Sequence, residues 1–140
     1  MFHSLCFCRV AGGPADHIYI RNRKGFVAVA VEEGVDIVPV YHFGNTQCLS
    51  FGPKFLEPWG RKWRFSLGLL YGIAKSPIPR RVRLLMCVGA PVKVVKTARN
   101  DPHFQAVVDS THAAYMEALQ GLYDKHKGRY GWQDHPLVMH

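Results

Sequence analysis

The chain has 140 residues, 48% of them hydrophobic and 20% charged, and carries a formal net charge of +8. That length suits one domain with one sizeable core and is too short for two ordinary ones. The charge admits an anionic partner, whether nucleic acid, an anionic membrane surface or a phosphate-bearing small molecule, while no apolar run approaches the roughly 20 residues of a spanning helix.

In chain order, residues 6–10 form a short, largely apolar run that stops at Gly12-Gly13-Pro14, which predicts a buried strand entering a loop. Ile18-Tyr19-Ile20 is either a short strand or the lead-in to a helix. Across residues 24–33, Phe26, Val27, Val29, Ala30 and Val31 predict a short helix that Gly34 ends. Residues 35–43 are β-branched, aromatic and almost wholly apolar, which predicts a strand buried on both faces as parallel strands are. Pro39 within it removes a ladder hydrogen bond and predicts an edge position or a bulge.

Residues 45–58 are expected to be loop, and residues 59–73 an amphipathic helix interrupted by glycines and ended by Pro77 and Pro79. Residues 83–88 predict a second buried strand closed by Gly89-Ala90-Pro91, with 92–95 as an extended continuation. The last helix has the clearest pattern. Asp101 is its N-cap and Pro102 its first position, and Phe104, Val107, Val108, Thr111, Tyr115, Ala118, Leu119 and Leu122 recur every three or four residues. Lys125, His126 and Lys127 fall near its end, where cations favour the dipole. This order is that of an α/β fold.

The charge is not evenly spread. Residues 54–83 hold eight Lys or Arg (54, 61, 62, 64, 75, 80, 81 and 83) against the single acid Glu57. Trp59, Trp63, Phe65, Leu67, Leu69, Leu70 and Tyr71 are interleaved with them, a mixture that suits a lipid headgroup boundary or, equally, an ordinary basic surface around a core segment. The cysteines, Cys6, Cys8, Cys48 and Cys87, match no zinc spacing and are expected to be reduced thiols. The opening MFHSLCFC lacks the basic and small-residue flanks of a signal peptide. No G-x-S-x-G elbow and no P-loop occurs, and Gly12-Gly13 is a weak phosphate signal without a third glycine. His42, at the end of a predicted strand, stands where α/β proteins place functional groups, with a satisfied structural histidine as the alternative.

One stretch is more specific. Arg23-Lys24-Gly25-Phe26, then Ala30, Gly34, Ile37, Val38-Pro39-Val40 and Phe43-Gly44, resembles in register the R-x-G-F-x3-A-x3-G-x2-hydrophobic-V-P-V-x2-F-G signature of the type-2 diacylglycerol acyltransferase family, which includes monoacylglycerol and wax-ester acyltransferases. Phe51-Gly52-Pro53-Lys54, Pro77-Ile78-Pro79-Arg80-Arg81, Val88-Gly89-Ala90-Pro91-Val92 and a C-terminal stretch from Tyr115-Met116 to Tyr130-Gly131 extend the likeness over most of the chain. The VPVYHFGN run is most similar to the plant and algal branch.

The resemblance implies a single acyltransferase domain over residues 1–140, partial at its N-terminal side, with a glycerolipid-acyltransferase-like sheet and flanking helices. It implies transfer of an acyl group from acyl-CoA to diacylglycerol at the endoplasmic reticulum or lipid-droplet surface, with no cofactor and no metal. The family's His-Pro-His-Gly motif, whose histidine serves as general base, does not occur in these residues, so His42 is the remaining candidate and the 140 residues alone are expected to be inactive. Ala11-Gly12-Gly13-Pro14-Ala15-Asp16 resembles the family's P-G-G-x-x-E segment, with Asp16 either in place of its Glu or part of a segment shortened there. Expected acyl-CoA and substrate contacts are Gly12, Gly13, Arg21, Arg23, Lys24, Gly25, Phe26, His42, Phe43 and Gly44. The cations would meet phosphates at a helix N-terminus, and His42, Phe43 and Gly44 would line the site. Residues 59–83 would meet the membrane, and a homo-oligomer is allowed. The competing function is a non-catalytic basic module on an anionic membrane or nucleic acid, although no nucleic-acid motif accompanies the charge and no such partner is expected.

Overall fold

The computed structural model describes residues 8–9, 15–48, 50–52, 69–76 and 78–140. In chain order the elements are β1 (Cys8–Arg9), β2 (Asp16–Ile18), α1 (Gly25–Glu33), β3 (Val40–Phe43), α2 (Asn45–Cys48), β4 (Ser50–Gly52), β5 (Leu69–Tyr71), a 3-10 turn (Ile73–Lys75), β6 (Leu85–Val88), α3 (Phe104–Tyr130) and β7 (Leu137–Met139). The class is α/β. The strands form three small sheets, with β2 between antiparallel β1 and parallel β7, β3 antiparallel to β6, and β4 antiparallel to β5.

The helix α1 forms where the sequence predicts it. Val27, Ala30 and Val31, at three- and four-residue spacing, are its buried stripe. It ends at Gly34, whose φ of 70° is left-handed, and the following Val35 N–H donates to the Ala30 carbonyl (3.0 Å). The long helix α3 starts in regular form at Phe104, later than expected, but its entry is built by Asp101: the carboxylate Oδ1 accepts from the His103 N–H (2.8 Å) and the Asp101 carbonyl from Phe104 N–H (3.0 Å). Its 27 residues span about 40 Å. It continues past the expected end to Tyr130, with Lys127 and Arg129 in the final turn and Gly131 (φ 97°) as the stop.

Buried Val108 of α3 packs with Val27 and Val31 of α1, while Leu119, Leu122 and Tyr123 pack with Ile18, Tyr41, Phe43, Cys87 and Leu137 of the sheets. The core is therefore arranged in two clusters along one helix.

Several expectations are corrected. The strand expected over 35–43 is regular only at Val40–Phe43; it pairs antiparallel with β6, and its burial alternates, with Tyr41 and Phe43 buried but Val40 and His42 only half-buried. Nearly continuous apolar sequence cannot distinguish a strand buried on both faces from one with an apolar outer face. The irregularity at Pro39 occurs as predicted: the ladder resumes at the Ile37–Val92 bridge, so two residues (38–39) face three (89–91), a bulge, and the Gly89 N–H donates to the Pro39 carbonyl (2.8 Å). The buried strand expected over 83–88 is Leu85–Val88, and of it only Cys87 is buried, Met86 and Val88 being exposed, because α3 covers one face alone. The loop expected over 45–58 contains α2 and β4. The end of the helix expected over 59–73 is instead β5 and the 3-10 turn, because its apolar residues at 69–71 pair with β4; residues 59–68 lie outside the described residues. The strand at 16–18 resolves the open alternative at Ile18, and β7 was not anticipated.

Candidate functional site

The expected site divides into two clusters on α3. At the first, the chain turns from β2 into α1 under several constraints. Ile20 and Arg21 N–H both donate to the His140 carbonyl (2.9 and 2.7 Å), and Arg23 N–H donates to the Ile20 carbonyl (2.9 Å). That same carbonyl accepts the Nε2–H of buried His112 on α3 (3.1 Å). Lys24 Nζ reaches Asp109 Oδ1 at 2.8 Å, both side chains being nearly half exposed, and Gln105 Nε2 donates to the same oxygen (2.9 Å). The Lys24 hydrogen bond holds the Asp109 carboxyl below its ordinary value of 3.8.

Phe26 packs edge-on against Tyr115 (5.2 Å between centroids) and His112 (6.3 Å). It works as an anchor of α1 on α3. No side chain caps the start of α1, no acid lies in its first turn, and a Cβ at exposed Gly25 would meet nothing within 4 Å. Gly25 thus leaves that helix end open to solvent, with Arg21 and Arg23 exposed beside it.

At the second cluster, Phe43 is fully buried and touches four aromatic rings: Tyr41, Tyr123, Tyr130 and Trp132, at 4.7 to 5.8 Å. Gly44 has φ 82°, and a Cβ there would come within 2.4 Å of both the Tyr130 hydroxyl and the Arg83 carbonyl, which share a 2.6 Å hydrogen bond. Both residues are inside the core, so in this structure they support the strand end and present no surface. His42 alone of the three projects outward, opposite Met86 of β6. Tyr115, which meets Phe26, and Tyr123, which meets Phe43, are eight residues apart, or about 12 Å along the helix.

Asp16, whose place in the motif is open in sequence, makes a buried contact. Asp16 is 3% exposed, and its carboxylate accepts from the Tyr41 hydroxyl, which ties β2 to β3. Tyr123 donates to the His135 carbonyl (2.9 Å), and burial, with Asp16 and Asp124 adding to it, pushes its phenol up to about 12. A third arrangement joins His17 of β2 to His140: their ring nitrogens are 3.0 Å apart, within hydrogen-bond distance, and Tyr19 stacks on His140. The His112, Asp109 and His140 contacts were not legible in sequence, because the partners lie 85 to 123 residues away.

Gly12 and Gly13 lie outside the described residues, as do 59–68 of the basic stretch at 59–83. Cys48 and Cys87 are free thiols, and burial pushes Cys87 up. Among the described residues no three His, Cys, Asp or Glu converge as a metal set, and no helix is long and apolar enough to cross a membrane.

A family model described as diacylglycerol acyltransferase matches residues 11–140. The chain is 32% identical to diacylglycerol O-acyltransferase 2 of Homo sapiens over 128 residues, covering 81% of this chain and 32% of that protein. It is 31% identical over 142 residues to diacylglycerol O-acyltransferase 2 of Dictyostelium discoideum, covering 86% and 42%. It is 28% identical over 142 residues to acyl-CoA wax alcohol acyltransferase 2 of Homo sapiens, covering 91% and 41%. No solved structure matches. The chain spans about a third to two fifths of the length of these relatives. With the family model running from residue 11 to the last residue, across the two clusters that organise the fold, the chain belongs to the diacylglycerol acyltransferase family.

Proposed function

We propose that this chain supplies the C-terminal part of a neutral-lipid O-acyltransferase that transfers an acyl group from acyl-CoA to diacylglycerol, within a glycerolipid-acyltransferase-like domain. The observation that carries the proposal is the open start of α1. Arg21 and Arg23 flank a helix N-terminus with no capping side chain and no acid in its own first turn, and Gly25 keeps it unobstructed. Backbone N–H groups and the helix dipole at such an end favour phosphate. Lys24 is held there by Asp109 and would exchange that carboxylate for a ligand phosphate. His42 faces outward at the far cluster.

The general base is assigned to the His-Pro-His-Gly histidine outside these residues, and removing such a base costs about a hundredfold to ten thousandfold in rate. The site requires no cofactor or metal. Exposed Ile78 with exposed Arg81 and Arg83 supports a membrane-surface role for the described end of residues 59–83, at the cytosolic face of the endoplasmic reticulum or a lipid droplet. Triacylglycerol synthesis from labelled acyl-CoA and diacylglycerol, in microsomes lacking their own neutral-lipid acyltransferases, tests the proposal. The 140 residues are expected to be inactive and a form extended by the upstream coding sequence of the native transcript active. Activity of the 140 residues alone would move the base into this chain, with His42 the first residue to substitute. Inactivity of both, with both folded, would sink the acyltransferase assignment.

A further inference from the structure

The β3–β6 ribbon is apolar on both faces. Its inner face, with Tyr41, Phe43 and Cys87, is buried against α3. On the outer face Val40 stands opposite Val88 and His42 opposite Met86. Leu84, Met86 and Val88 alternate along one edge of it at 60%, 61% and 57% exposure, and Val38 beside the bulge is 42% exposed. A two-stranded ribbon is marginally stable in water, and a sheet with an apolar face requires a second layer. The two outward positions of β6, Met86 and Val88, with Leu84 just ahead of the strand, are therefore an apolar packing surface.

We propose that this outer face, with Val38, His42, Leu84, Met86 and Val88, is the seam on which the part of the acyltransferase domain lying outside these 140 residues docks. The inference rests on the acyltransferase reading. This chain covers 32 to 42% of the relatives' length, which leaves 58 to 68% of a related protein to be packed against something. The occupant is polypeptide, because β3 and β6 each have one edge unpaired among the described residues. Strand edges present N–H and C=O groups that another chain segment satisfies and lipid does not. Its docking face is apolar opposite Met86 and Val88, where an unpaired charge would be desolvated. His42 is the one titratable side chain on these two strands that faces outward, and docking would enclose it between the two parts.

The test compares the accessibility of Met86→Cys in the isolated chain with that in a fusion to the unmatched portion of the Dictyostelium discoideum relative. Maleimide labelling is followed peptide by peptide in the mass spectrometer. Val95→Cys, at a site 70% exposed and outside the ribbon, is the reference, and Cys87, 6% exposed, must stay unlabelled in every sample as proof of folding. Labelling at position 86 is expected to slow at least tenfold in the fusion while position 95 is unchanged. Equal labelling in both forms overturns the seam. So does protection of the isolated chain that grows with its own concentration, which identifies a second copy as the occupant, or protection that requires added phospholipid vesicles, which identifies a lipid surface. The same fusion is assayed for acyl transfer: protection without activity leaves the seam standing and removes the enzymatic reading, whereas activity without protection does the reverse.

Discussion

Gly44 and Tyr41 show how single residues of the VPVYHFG stretch are used. Gly44 combines a left-handed φ with backbone and phenol oxygens where a Cβ would stand. Gly44→Ala is therefore expected to destabilise by at least about 2 kcal/mol, read from denaturant midpoints, from left-handed strain and overpacking together. Full stability in that variant would mean that the Tyr130–Arg83 contact is free to move aside. Tyr41 donates its hydroxyl to the buried Asp16 carboxylate. Removing the donor in Tyr41→Phe takes that hydrogen bond from a buried carboxylate and is expected to lower stability by about 1–3 kcal/mol, with a smaller added loss when Asp16→Asn is combined with it. Strict additivity of the two changes would show that the pair is not coupled. A sequence motif read for chemistry thus contains, at Phe43 and Gly44, residues whose demonstrable work is packing.

Among the elements, α3 is the shared support, and two of its contacts set pH limits. Near its start, the Lys24–Asp109 bond holds the Asp109 carboxyl low in the folded protein. A folded-state value below the unfolded one means that this contribution is present above the ordinary 3.8 and disappears as pH falls through the folded value. Acid titration below about pH 4 is accordingly expected to loosen the α1–α3 contact, and Asp109→Asn to flatten that part of the stability profile. An unchanged profile in the variant would assign acid lability to other carboxylates.

Toward the other end, Tyr123 ionises in the opposite sense. Its folded value of about 12 exceeds the ordinary 10.0, so its contribution is complete below pH 10 and is lost as pH rises from there toward 12. Tyrosinate absorbance should show this phenol ionising together with unfolding, and Tyr123→Phe should remove the coupling. Ionisation of all tyrosines near pH 10 in the folded protein would contradict the burial of Tyr123.

For the whole molecule, local signals were the legible part. The apolar stripe and glycine stop of α1, the proline irregularity at position 39 and the periodicity of α3 are determined by neighbours within a few residues, and each appears in the structure. The family signature over Arg23 to Gly44 was equally readable, since it consists of residue types at fixed spacing. What sequence patterning misjudged depends on distant pairing. Residues 69–71 became a strand through β4, β3 became antiparallel through β6, and β7 formed because it completes a ladder with β2.

The candidate site divides the same way. The sequence by itself determined which cations, glycines and aromatic residues belong to the motif and that the chain has the type-2 acyltransferase signature. Only the tertiary structure decided that Lys24 is already paired with Asp109, that His112 and His140 hold the turn before α1, that Phe43 and Gly44 are interior, and that His42 faces outward on an apolar surface. The physical reason is separation along the chain: those partners lie tens of residues or more from the motif, and hydrogen bonding and burial depend on distance in space.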